Sequence, residues 1–156
     1  MKYEELYLAY LVYFNRDQDF FECHEVLEEL WLQRERDPLY KGLLQVAVGL
    51  YHFRNSNLIG GIKMLHSAAD QLEHYPPVTL GIELGVLVEQ VRSYAKKLEE
   101  FQISPFPYYD LTIIIVDPEL QLAVNAAAET IKPNIPQRRG PERRRNGKVP
   151  HAEGKH

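Results

Sequence analysis

A single cysteine, Cys23, in 156 residues excludes a disulfide framework and any cysteine-rich zinc module. No apolar run approaches the roughly 20 residues that a membrane-spanning helix needs, so no spanning segment is expected. The first residues, Met-Lys-Tyr-Glu-Glu, lack the basic-then-apolar order of a secretory signal, and a cytoplasmic location is the expectation. Positive charge is scarce through most of the chain. Residues 1–132 carry 11 Lys and Arg against 20 Asp and Glu, whereas residues 133–156 carry 7 against 2. The net charge of -4 therefore averages an acidic body and a basic end. Apolar residues are scarce in that same end, where proline, glycine and arginine dominate. Residues 133–156 are expected to be a disordered tail, and residues 1–132 a single helical domain.

What the body does contain is helical periodicity. Residues 3–14 (YEELYLAYLVYF) predict a well-buried first helix. Asn15-Arg16-Asp17 breaks the pattern, with Asp17 a candidate N-cap for a second helix over about 18–35. Asp37-Pro38 is a cap followed by proline at the first helical position, and opens a third helix over about 39–54. A fourth, over about 57–74, shows an apolar stripe through Leu58, Ile62, Leu65, Ala69 and Leu72. Pro76-Pro77 stops it. A fifth, over about 79–101, repeats the stripe through Leu80, Leu84, Leu87, Val91, Tyr94 and Leu98. Residues 103–110 are expected to be extended, and Ile113–Val116, although β-branched, has no evident strand partner. Asp117-Pro118 opens a last short helix over about 119–131. The fold class is all-α: a compact antiparallel bundle of about five main helices, an extended C-terminal segment and the basic tail.

The second helix places Phe20, His24, Leu27 and Trp31 on one face, at spacings of 4, 3 and 4. Three of the four are large and apolar, so His24 looks into the core. Glu28 follows His24 by one turn and borders the same stripe. The third helix is apolar nearly all round. Against that background Gly42, Gln45, Gly49 and His52 make a narrow stripe of small and polar residues. Each interior glycine costs about 1 kcal/mol relative to alanine, which close helix approach or room for a ligand would offset. A buried polar group left unpaired costs roughly 1–3 kcal/mol. The economical arrangement points the two stripes at each other, bringing His24 and Glu28 to Gln45 and His52.

Two readings of this cluster stand side by side. In one, the histidines, Glu28 and Gln45 form an internal hydrogen-bond network that fixes helix register. In the other, His24, Glu28 and His52 ligate a divalent metal, zinc or another transition metal. Gln45 would then be an outer donor, with Trp31 and Tyr51 packed around it. Three ligands leave coordination positions open, as a hydrolase-like site activating water requires.

The segments FFECHEVLEELW and YKGLLQVAVGLYHFRNSNLIGGIKML resemble a family of small helical prokaryotic proteins, the domain-of-unknown-function family numbered 309. The family's mark is a His, a Glu four residues on and an aromatic three beyond, here His24, Glu28 and Trp31. A Gly-Leu-x-Gln stretch and a Tyr-His pair follow, here Gly42, Leu43, Gln45, Tyr51 and His52. The match covers roughly residues 14–75 within a family-like core of about 14–101. The resemblance implies an all-helical fold and a motif associated with metal, and it brings no established activity.

His66, Asp70 and His74 share a face of the fourth helix, expected to be a solvated flank rather than a second metal face. Gly60 and Gly61 are expected to serve packing, and Cys23 to be a buried thiol. Five arginines in residues 138–145 suit weak, salt-dependent contact with nucleic acid or an acidic protein. The greasy first helix leaves room for a homo-oligomer. The two functional expectations are a metal-binding, hydrolase-like helical protein and a non-catalytic helical interaction module.

Overall fold

The computed structural model describes residues 3–134. The expected tail therefore lies outside the described residues from position 135 onward. The fold is all-α, with α1 at Glu5–Val12, α2 at Phe20–Gln33, α3 at Pro38–Arg54, α4 at Leu58–Leu72, α5 at Leu84–Glu99 and α6 at Pro118–Thr130. Among the described residues no helix is long and apolar enough to cross a membrane.

Local chemistry sets the helix starts. The carboxylate of Asp37 accepts from Leu39 N–H, Asn57 accepts from Gly60 N–H, and Asp117 accepts from Glu119 N–H. Pro38 and Pro118 occupy first-turn positions that need no N–H. The cap of α2 is Asp19, which accepts from Glu22 N–H, and not Asp17. The displacement has a cause: α1 runs into a π-helical turn, Tyr13–Asp17, which carries the chain two residues further before α2 begins. Asp17 instead pairs with Arg16 at 2.8 Å.

α3 is the hub. Leu39, Tyr40, every residue from Gly42 to Tyr51, and Phe53 are buried. It packs chiefly between α4 and α2, while α5 covers α4, and α1 lies against α2 and α6. Tyr10 is fully buried, and its hydroxyl donates to Leu43 C=O at 2.7 Å, tying α1 to the hub. Within α1, Tyr7, Leu8, Tyr10, Leu11 and Val12 are buried, while Leu6 and Ala9 are partly open.

Two expectations about the second half are corrected. The fifth helix starts at Leu84, not near residue 79, because β1 (Val78–Thr79) and β2 (Ile82–Glu83) form a minute antiparallel hairpin. Its turn places Leu80 at φ 55 and Gly81 at φ 76, left-handed values that no helix admits. The segment at residues 113–116 also has a partner. Ile115 bridges Ile82, Glu83 N–H donates to Ile114 C=O at 2.9 Å, and Val116 N–H donates to Gly81 C=O at 2.9 Å.

The π-helical turn holds this C-terminal half down. The carboxamide of Asn15 donates to Ile113 C=O and accepts from Ile113 N–H, both at 2.9 Å, as a neighbouring strand would. Arg16 donates to Ala128 C=O at 2.9 Å and Ile131 C=O at 3.0 Å, satisfying carbonyls at the end of α6. Replacing Asn15 by Leu strands both backbone groups of the buried Ile113. The expected loss is about 1–3 kcal/mol of unfolding free energy, read from the urea midpoint at unchanged m-value.

Candidate functional site on the second and third helices

α2 buries the stripe that its periodicity assigns to the core. Phe20 and Leu27 are fully covered, and His24 is 5% exposed. Trp31 is half-buried at the stripe's outer end. His24 and Glu28 do meet: Nε2 of His24 lies 3.7 Å from Oε1 of Glu28. A second carboxylate flanks the ring, with Oε2 of Glu25 3.5 Å from Nδ1. The imidazole is thus bracketed by two acids on its own helix, both partly open to solvent.

The polar stripe of α3 does not face α2 as expected; it is turned to α4. A Cβ placed on Gly42 would come within 2.6 Å of Leu72 Cδ2, and one on Gly49 within 2.6 Å of Leu65 Cδ2. The glycines are seats for leucines of the neighbouring helix. Between them Gln45, 4% exposed, accepts through Oε1 from Gln71 Nε2 at 2.7 Å and from Ser67 Oγ at 3.0 Å. Ser67 and Gln71 are one turn apart on α4, which is why one oxygen can receive both. His52 stands at the last turn of α3, half-buried, with Nδ1 3.4 Å from Nδ2 of Asn57, the capping residue of α4. Tyr51 is buried, and its ring lies 6.4 Å from that of Phe21 on α2.

His24 and Glu28 are brought together on α2, while Gln45 is turned to α4. Among the described residues, no group of three or more His, Cys, Asp or Glu side chains is placed to hold a metal ion. α3 is rotated about its axis relative to the expected arrangement. With small residues toward α4, the bundle gains a close interhelical seam, and the stripe is taken up by it.

The remaining candidates resolve plainly. His66 pairs with Glu99 on α5, Asp70 pairs with Arg92 at 3.2 Å, and His74 is exposed, so the row is a solvated flank tied to α5 at 66 and 70. Gly61 packs under Gly49 C=O, Leu98 and Phe53. Cys23 is fully buried, and burial pushes its thiol well above the usual range. Five contributors were missed, Glu25 beside the His24 ring among them. Ser67 and Gln71 show only as a polar pair flanking an apolar stripe. Arg36 and Lys41, each 5.4 Å from the centroid of the Trp31 ring, carry no periodic signal.

A family described as a domain of unknown function, DUF309, matches residues 7–64. The matched stretch holds His24, Glu28, Trp31, Gly42, Gln45, Gly49 and His52, and ends before Ser67 and Gln71. The chain is 33% identical to the uncharacterized protein YpuF of Bacillus subtilis (strain 168) over 126 residues, covering 78% of this chain and 70% of that protein. It is 30% identical to an uncharacterized protein of Aquifex aeolicus (strain VF5) over 83 residues, covering 51% of this chain and 24% of that protein. No solved structure matches significantly.

The seam predicts an unusual response to a helix-favouring substitution. Gly49→Ala gains about 1 kcal/mol of helix propensity but drives a methyl into the fully buried Leu65, where overpacking costs about 1–3 kcal/mol. The expected outcome is a lower urea midpoint than the parent chain. A higher midpoint would show that the seam relaxes freely.

Proposed function

The chain belongs to the DUF309 family, and within it we propose a non-catalytic helical interaction module. In this reading the polar residues of α3 are a register lock, and binding falls to the surface and to the arginine-rich stretch at 138–145. The observation that carries the reading is the double acceptance at Gln45 Oε1 from Ser67 and Gln71. A carbonyl oxygen has two lone pairs, and here both have protein donors, so this oxygen has none left for an ion or substrate. Glycines on the same stripe that seat Leu65 and Leu72 point the same way. The five arginines of residues 138–145, opposed by an acidic body, suit an acidic protein or RNA held weakly and with strong salt dependence. Self-association of the chain is a further partner class compatible with this reading.

A second reading keeps the metal. Its support is the 3.7 Å approach of His24 Nε2 to Glu28 Oε1, an i, i+4 donor pair of the kind that helical metal sites use. Zinc or another transition metal held there would activate water in a hydrolase-like reaction. The pair alone does not complete a site.

Elemental analysis of tag-free protein, purified without added metal, separates the two. The expected result is no stoichiometric transition metal, with His24→Ala and Glu28→Gln changing only stability. One metal ion per chain, lost in both variants, would overturn the module reading in favour of the metal centre.

A further inference from the structure

The turn between α2 and α3 holds two cations on one aromatic ring. Arg36 Cζ and Lys41 Nζ each lie 5.4 Å from the centroid of Trp31, the chain's one tryptophan. Three other charged groups of this corner are already engaged, while Glu35, beside Arg36, is exposed and has no ion pair among the described residues. Arg34 is held by Glu4 in a two-point pair, 2.7 Å at each contact. Asp37 caps α3 through Leu39 N–H. Glu28, one turn before Trp31, lies at 3.7 Å from His24 Nε2. Neither Arg36 nor Lys41 has an ion-pair partner among the described residues, in a body that is otherwise rich in acids.

The backbone of this turn is left-handed at two positions. Glu35 and Arg36 stand at φ 56 and φ 60, two consecutive left-handed residues without a glycine between them. Arg36 N–H closes the turn on Trp31 C=O at 2.8 Å. Strain of this kind persists only where the surroundings over-determine it, and it concentrates at ligand-holding turns. The indole attracts each cation, and with both at 5.4 Å from one ring centre an anion that reaches both offsets their like charge.

We propose that Trp31, Arg36 and Lys41 form a binding site for a small phosphate-bearing anion. The guanidinium fork of Arg36 takes two phosphate oxygens, and the ammonium of Lys41 acts as a point charge on another. The site is independent of whether a metal binds at His24, so either reading of the core can fail without it.

Because Trp31 is the one tryptophan, its emission reports on this corner alone. The full-length chain is titrated with inorganic phosphate and with pyrophosphate at ionic strength held constant with chloride. A saturable change in emission is expected, weakened at least about tenfold in Arg36→Gln and in Lys41→Gln. Lys41→Arg and the distant Lys63→Gln should bind as the parent chain does, and so should a chain lacking residues 135–156. Thermal melts of each variant check that the fold is kept. A response that never saturates overturns the proposal, as does one equal to that of chloride or one unchanged in both neutral variants. Loss of binding on removing 135–156 would assign the phosphate to the arginine-rich stretch instead.

Discussion

The fold rests on the contact between the backbones of α3 and α4. Gly49 and Gly61 meet there, so closely that a Cβ on Gly61 would lie 3.3 Å from Gly49 C=O. Gly42 and Gly49 receive Leu72 and Leu65, and Gln45 ties the same seam with two hydrogen bonds. A helix that is apolar on nearly every side must be enclosed on nearly every side. α3 meets that demand by taking α4 at very short range, α2 on another flank and Tyr10 of α1 across a third. Each of the other helices is then placed by what it covers.

The C-terminal half depends on that arrangement and is fastened by polar side chains rather than by a second core. Asn15 and Arg16, offered by the π-helical turn, hold the extended segment and the end of α6. Tyr7 donates to Leu80 C=O at 2.8 Å, and Tyr3 binds Asp117, the cap of α6. Residues 101–109 are pinned by rings: Phe106 packs on Phe53, Tyr94 and Phe101, and the hydroxyl of Tyr94 donates to Tyr109 C=O at 2.8 Å. α6 buries only Leu120 and Val124, so its position owes much to these caps.

Most helices, and the caps at Asp37-Pro38 and Asp117-Pro118, are legible in the sequence because they are set by short-range chemistry, whereas the cap of α2 is moved from Asp17 to Asp19 by the π-helical turn. Periodicity also places His24 in the core correctly. It does not say which neighbour a stripe faces. The Gly42–Gln45–Gly49 stripe reads as small and polar, and a ligand site or a tight seam would both use it. The answer lies in Ser67 and Gln71, some twenty residues away, whose role appears only once α4 is docked. The hairpin at 78–83 escapes for a related reason. Its pairing with residues 113–116 is long-range, and apolar positions at 80, 84 and 87 imitate a helix. The pair of cations on Trp31 depends on two left-handed residues, Glu35 and Arg36, that carry none of the usual turn composition.

The metal and module readings differ over what the buried polar groups of the hub are for. Gln45 is central to that difference, because a carboxamide used as a lock is energetically coupled to its partner and one held for a ligand is not. The direct measurement is a double-mutant cycle in urea on Gln45→Ala and Gln71→Ala. A coupling of about 0.5–3 kcal/mol between the two sites is the result this account predicts. Free-energy changes that add to within about 0.3–0.5 kcal/mol would contradict it, and would return Gln45 to the list of residues waiting for a ligand.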